Sequence, residues 1–271
     1  MNERVLIVGT GRLGSALAQA LRRAGVHVSV WRGRGPWPSR RTRIDVALLA
    51  VADPFIEGVA AKLAPRLDAH CVVLHASGAR SIEALHPLAP RSRGVMHPLV
   101  SFASRRAPSL ASCTVVIAGD PGAVRAARSL ARVLRLSVIA QSIHGPRYHA
   151  AAALVANGAA ALASSAVGSL EAQGVPRRAA ERAIAGLLRS VADNVAALGL
   201  PAALTGPIVR GDAATVAAHR EAVDARTLRA YDALAPLILD VARAAGLSPT
   251  AARRIRAVLT RDRGRPRSRS T

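Results

Sequence analysis

The chain has 271 residues, is 51% hydrophobic and carries a formal charge of +22. That length allows one large domain or two modest ones, with a sizeable core. The basic excess is nearly all arginine, Lys62 being the only lysine. The arginines are spread along the chain, with few aromatics to stack bases and no nucleic-acid motif, which argues against specific nucleic-acid binding and leaves anionic small molecules as compatible ligands. Cys71 and Cys113 sit in apolar runs without metal-ligand spacing and read as reduced, buried thiols of a cytoplasmic protein.

In chain order, "RVLIVGTG" is a continuous apolar run ending in glycines, as a parallel strand buried on both faces should be. "RLGSALAQALRRAG" follows with helical periodicity and Gly25 as its stop. Further strands are expected at "VHVSVW", 44–51, 71–77, "RGVMHPL", 113–119 and 136–142. This alternation predicts an α/β fold whose N-terminal part is a doubly wound parallel sheet. After about residue 143 the strands stop, and Ala/Leu-rich helical stretches follow, so the C-terminal part is expected to be all-α. The expected division is 1–142, 143–260 and an arginine-rich, disordered tail over 261–271. From Ala150 to Leu170 no residue is charged, a length that would span a bilayer. Asn157 and several serines lie within it, however, and a buried, closely packed helix of a soluble domain is the expected account. Ser248 followed by Pro249 predicts a capped helix start.

Gly9, Gly11 and Gly14 form G-x-G-x-x-G between a predicted strand and a predicted helix, the context in which the motif binds a dinucleotide. Gly9 permits the tight turn, Gly11 the approach of a pyrophosphate and Gly14 close helix–strand packing, while the helix N-terminus faces the phosphates. Thr10, Arg12 and Leu13 complete this turn. An NAD site usually has an acid at the end of the second strand; here stand Trp31, Arg32 and Arg34, with Arg40 and Arg41 in the next loop. A 2′-phosphate would find cationic partners there, so NADP(H) is the expected cofactor. Ligands of such sheets lie beyond the carboxyl ends of the strands. That rule adds Val51, Ala52, Asp53, Ser77 and Gly78 to the cofactor site, though Asp53 also suits a helix cap. His75, inside an apolar strand, reads as a satisfied core histidine. His97, closing a short strand before Pro98, is better placed for chemistry.

"RYHAAAALVAN" carries Arg147, Tyr148, His149 and Asn157 at the start of the first long helix. Asn157 suits either a helix–helix hydrogen bond or a substrate contact. "ALTGPIVRGD" joins two helical stretches. Asp212 is placed to cap the following helix, Gly206 and Pro207 shape the turn, and Arg210 is left free to hold an anion. A secretion signal is not apparent, which removes an adhesion reading of Arg-Gly-Asp.

Taken together, "HPL-x-SF", "YHAAA…N" and "ALTGP-x-x-RGD" behind a Rossmann domain resemble the Rossmann-like/DUF2520 proteins. These lie in the wider superfamily of 6-phosphogluconate dehydrogenase, ketopantoate reductase and pyrroline-5-carboxylate reductase. The resemblance spans roughly residues 3–245. It implies an NADP-type Rossmann domain, a helical C-terminal domain for substrate and dimerisation, and an oxidoreductase of unassigned substrate; ketopantoate reduction is a role by analogy. Many superfamily members use a lysine near the start of the helical domain as acid/base. Here the local sequence is "SIHGPRYH", and Lys62 is expected to be solvated and badly placed. Arginine stays charged and is a poor proton donor. The expected donor is therefore His149 or His97, with Tyr148 third. The expected reaction is hydride transfer from NADPH to the carbonyl of a small anionic substrate, a 2-oxo acid first and a cyclic imine acid second, or else no catalysis at all in an NADP-binding regulator. Arg147 or Arg210 would anchor a carboxylate and Asn157 the reacting oxygen. A homodimer through the helical domain, and no membrane partner, complete the expectation.

Overall fold

The computed structural model describes residues 3–37, 43–104, 110, 113–141, 143 and 145–261. Arg40, Arg41 and the tail beyond Arg261 lie outside the described residues. The chain forms two compact units, one up to Ala156 and one from Asn157.

The first unit is built on a seven-stranded sheet. Its strands are β1 (Arg4–Val8), β2 (His27–Trp31), β3 (Val46–Leu49), β4 (Val72–His75), β5 (Arg93–Pro98), β6 (Thr114–Gly119) and β7 (Ser137–Ile139). Their order across the sheet is β2-β1-β3-β4-β5-β6-β7. The strands are short apolar runs because both faces are covered. Along β1, Val5 and Ile7 face one way, into a core shared with Leu17 and Leu21 of helix α1 (Arg12–Arg23) and Leu130 of α3 (Pro121–Val133). Leu6 and Val8 face the other way, onto Ile56, Val59 and Leu63 of α2 (Ile56–Leu63) and Leu85 and Leu88 of a 3-10 segment, Ile82–Leu88. Period-two alternation thus feeds two cores, each fully buried aliphatic side chain contributing about 1.5–3 kcal/mol.

The sequence reading makes the sheet parallel, and β1 to β5 are parallel. β6, however, pairs antiparallel with β5, Met96 standing opposite Ile117. The cause is the connection: among the described residues between Pro98 and Thr114 no helix carries the chain back across the sheet, so it returns directly alongside. α3 then supplies a crossover, and β7 lies parallel to β6. Cys71 is buried and its thiol is pushed up to about 12 by that burial, whereas Cys113, expected buried, is half-buried.

The second unit is helical. The division falls within α4 (Pro146–Glu171) and the unit continues through α5 (Arg177–Leu198), α6 (Ala213–Ala222), α7 (Ala225–Ala244) and α8 (Pro249–Leu259). Its core gathers Ile208, Val216, Ala235, Leu239, Ala242, Ala252 and Ile255. Arg220 forks onto Asp232 at 2.8 and 2.9 Å and also donates to the Val258 carbonyl, tying α6 to α7 and α8. Three side-chain caps start these helices: Asp212 accepts from the Thr215 N–H, Asp224 from Arg226 and Thr227, and Ser248 from Ala251. Both Asp212 and Ser248 therefore do what their positions before helical runs predict.

α4 departs from expectation. It was to be a buried helix, yet Val167 is its one buried residue. By length and composition it is apolar enough to cross a membrane. Its apolarity comes from alanine, which needs no burial to be helical, and from Leu154, Val155 and Leu162, which stand exposed on it; a low-polarity sequence marks a surface that tolerates burial, not one that has found it.

Candidate active site

The carboxyl ends of β1 to β5 share one edge of the sheet. At the end of β1, Gly9 adopts φ +114°, and a Cβ there would collide with the Ala50 carbonyl beyond β3. A Cβ on Gly14 would collide with the Gly9 carbonyl. These two glycines let helix α1 press against the turn. Gly11 differs: no atom lies within 4 Å of where its Cβ would stand. It is the N-cap of α1 and offers no side-chain cap, and the helix has no acid in its first turn. The first N–H groups of α1 are thus left to an anion, and the space at Gly11 admits one, which fits a dinucleotide pyrophosphate. Ser15 Oγ donates to the Thr10 carbonyl, fixing the turn. Arg12 is exposed and Leu13 partly packed on the core.

At the end of β2, Arg32 and Arg34 are exposed. Trp31, a sequence candidate for the cofactor site, instead buries its side chain at 4% exposure and supplies its carbonyl to the Gly9 N–H at 2.7 Å. Its ring meets that of Trp37 edge-on at 5.1 Å, with the Arg66 guanidinium about as close to both. Trp37 and Arg66 hold the loop that displays the two arginines; sequence reasoning missed them, the paired tryptophans being the available signal. At the end of β3, Val51 packs partly on the core and Ala52 is exposed. Asp53 begins a 3-10 turn, Asp53–Phe55, without capping it by its side chain.

His75, at the end of β4, is fully buried; its Nδ1 accepts the Ser77 N–H at 3.2 Å, so its Nε2–H donates to the Ser81 carbonyl at 3.0 Å. It is a satisfied core histidine that shapes the turn after β4. In that turn Ser77 Oγ accepts from the Ala79 and Arg80 N–H groups. Gly78 then does two things. Its carbonyl accepts the Gly145 N–H at 3.1 Å, docking the entry to α4, and a Cβ on it would lie 2.7–3.0 Å from the ring atoms of His97. The missing side chain is the room His97 occupies.

His97, near the end of β5, is half-buried and its Nδ1 lies 2.6 Å from Tyr148 Oη on the first turn of α4. The His149 ring stands 6.3 Å away, edge-on. Burial first, then the neighbouring His149, pushes the His97 imidazole down to about 4, against the opposing pull of Asp53. Burial also raises the Tyr148 phenol above its ordinary value. At neutral pH the pair is a neutral imidazole bonded to a neutral phenol. Three of the sequence candidates are therefore brought together, with Arg147 exposed beside them on the same turn. Gly145, which fixes this helix start, was not among the candidates, although a Gly-Pro pair is a known helix-entry signal.

Asn157, Gly206, Pro207 and Arg210 belong to the second unit. Asn157 is exposed. In the turn, Gly206 has φ +108°, Ile208 is buried in the helical core, and Arg210 is exposed next to the cap Asp212, whose carboxyl is held low first by its bonds to Thr215. Lys62 is exposed in the last turn of α2, as expected. Among the described residues no cluster of three metal-ligating side chains occurs.

Residues 113–238 match the family described as "Domain of unknown function (DUF2520)". The sequence matches none of the curated proteins closely enough to establish kinship. Among solved structures, a candidate NADP oxidoreductase of Bacteroides fragilis is similar over 88% of this chain and 98% of its own, at 19% identity and a TM-score of 0.70. Protein TM1727 of Thermotoga maritima is 24% identical over 89% and 99%, with a TM-score of 0.65. A pyrroline carboxylate reductase of Plasmodium falciparum, solved with NADP bound, is 12% identical over 89% and 98%, with a TM-score of 0.57. At these identities the likeness is one of fold. Residues 113–238 are thus similar to the DUF2520 family, in a chain whose fold is of the Rossmann type.

Proposed function

We propose that the protein is an NADPH-dependent oxidoreductase that reduces the carbonyl of a small anionic substrate, a 2-oxo acid of the ketopantoate kind. The observation that carries this reading is the neutral His97–Tyr148 pair on the strand edge that also holds the open, uncapped glycine turn. The Plasmodium reductase of this fold holds NADP, which supports the cofactor class. Arg32 and Arg34, with no carboxylate beside them on β2, favour the 2′-phosphate form. Bound there, the cofactor supplies a hydride.

The chain's own residues supply the proton. A carbonyl that accepts a hydride at carbon needs a proton at oxygen. A histidine held near 4 does not carry a spare proton at pH 7, so the sequence ranking of His97 over Tyr148 reverses. Tyr148 Oη–H gives its proton to the developing alkoxide. His97, as the Nδ1–H tautomer, donates to the phenol oxygen and stabilises the phenolate until solvent restores its proton. His149 and Arg147, exposed on the same turn, would receive the substrate carboxylate. A cyclic iminium acid arrives already protonated at nitrogen and needs no such donor; the presence of one favours the 2-oxo acid. Cys71 and Cys113, neither of them in a disulfide, suit a reducing, cytoplasmic location.

The test is NADPH oxidation across a panel of 2-oxo acids and cyclic imino acids, with Tyr148→Phe alongside. Turnover of a 2-oxo acid that falls about 10²–10⁴-fold in Tyr148→Phe, at unchanged NADPH affinity, is the expected result. Tight NADPH binding with no oxidation of any substrate would leave the protein a binding module and overturn the reading.

A further inference from the structure

Aromatic rings are scarce in this chain, with two residues each of Trp, Tyr and Phe. Both tryptophans and Phe55 stand in the first unit, just beyond the ends of β2 and β3. The tryptophans pack on each other, but the Phe55 ring is 65% exposed. A single apolar side chain in water is ordinary on a protein surface. Phe55 is set apart by what surrounds it.

Ile56, Ala60 and Leu63 of α2 are fully buried against the sheet. Val59 lies at the margin of that core, where its Cγ2 would stand 3.8 Å from a Cβ on Gly33. This flank of α2 therefore faces the loop that carries Arg32 and Arg34. Phe55 has helical backbone angles and precedes Val59 by four residues, which puts it on the same flank. At 1.5 Å per residue it is about 6 Å nearer the carboxyl edge of the sheet. The backbone holds the ring in place: Pro54 precedes it, and the Phe55 N–H donates to the Ala52 carbonyl at 2.9 Å. The loop opposite is tied to the far end of the same helix. The Arg66 guanidinium lies 5.6 and 5.7 Å from the Trp31 and Trp37 rings and donates to the Lys62 carbonyl. Both walls are thus fixed to α2 before any ligand arrives.

We propose that the Phe55 ring is the platform on which the adenine of the cofactor stacks, an inference that rests on the NADPH reading above. The open turn at Gly11 takes the pyrophosphate at the end of β1. The His97–Tyr148 pair lies on the β5 side of that turn, so the nicotinamide half runs that way and the adenosine half runs toward β2. There Arg32 and Arg34 meet the 2′-phosphate, and the base, one sugar away, meets the flank of α2. A purine face leaves water by lying on an aromatic ring. A protein partner is a poorer occupant: Ala52, Pro54 and Glu57 beside the ring are exposed but small or charged, so Phe55 offers the area of one base and not an apolar patch.

The experiment is calorimetric titration of the full chain with three probes. They are NADPH; 2′,5′-ADP, which keeps only the adenosine half; and reduced nicotinamide mononucleotide, which keeps only the other. Phe55→Ala is expected to weaken NADPH and 2′,5′-ADP by about 5- to 100-fold, with the mononucleotide and the Tm unchanged. Phe55→Tyr keeps the ring and is expected to bind all three as the wild type does. A Phe55→Ala chain that holds 2′,5′-ADP as tightly as wild type would overturn the inference and leave the cofactor assignment standing. An equal loss of affinity for the mononucleotide, or no recovery in Phe55→Tyr, would overturn it too. A wild-type chain that bound none of the three would overturn the cofactor assignment itself, and the inference with it.

Discussion

The low His97 imidazole makes a definite claim about acid stability. An ordinary histidine titrates near 6.5, and in the folded protein this one is held down to about 4. Between those values the unfolded chain binds a proton that the folded chain refuses, so stability rises with pH there. The contribution is fully present above pH 6.5 and is lost as pH falls through 4. The displacement corresponds to about 3.4 kcal/mol at 1.36 kcal/mol per pH unit; since part of the ring sees solvent, about 2 kcal/mol is expected. The groups facing the ring are His149 and His75, which add to the effect, Asp53, which opposes it, and Tyr148, which bonds to it. Acid also weakens the caps at Asp212 and Asp224, whose carboxyls are held low, so the comparison must be differential. Urea unfolding at pH 7 and pH 4.5 for wild type and His97→Gln isolates the term. Wild type should lose about 2 kcal/mol more than the variant over this interval. Equal losses would show that burial does not hold His97 neutral, and the assignment of the proton to Tyr148 would go with it.

Gly11→Ala should fold with an unchanged Tm, since its Cβ enters open space, yet weaken NADPH binding by titration, because that space is the pyrophosphate's. Gly14→Ala should lose both, its Cβ striking the Gly9 carbonyl. Arg32→Ala should narrow the ratio of NADPH to NADH affinity several-fold, measured by quenching of Trp31 and Trp37, the chain's two tryptophans; equal affinities in the wild type would remove the 2′-phosphate argument. Arg220→Lys keeps the charge but loses the two-pronged contact with Asp232, and should cost about 1–2 kcal/mol in chemical unfolding without changing cofactor affinity.

The elements of the fold were legible where one local rule decided them. The seven strands are apolar runs closed by turn residues, and Asp212 and Ser248 are caps because an oxygen stands one residue before a helical run. The reversed β6 was not legible, because strand direction depends on whether a helix intervenes, and the stretch from Leu99 to Cys113 has no periodicity that settles it. Trp31 was misjudged for a related reason. The end of β2 does adjoin the cofactor turn, but only the backbone faces it, while the side chain, alternating along the strand, turns down toward α2. The exposure of α4 could not be read either, since alanine is compatible with both burial and water.

The pairing of His97 with Tyr148 shows why a site is harder to read than a fold. They are 51 residues apart, on a strand and a helix, and nothing in their spacing links them. Three backbone facts bring them together. β5 pairs with β4 so that Val95 stands opposite His75, which carries His97 beyond the end of β4 to the level of the Ser77–Gly78 turn. His75, invisible as anything but a core residue, ties that turn through Ser77 and Ser81. Gly78 then gives its carbonyl to Gly145, and the helix that begins there delivers Tyr148 within one turn. The proposed donor and its partner are thus placed by main-chain hydrogen bonds and by the absence of one Cβ. Gly78→Ala should therefore displace the His97 ring and lower turnover while the charge of every active-site residue is unchanged, and a Gly78→Ala enzyme with wild-type turnover would mean that the pair is not held in the geometry that proton transfer needs.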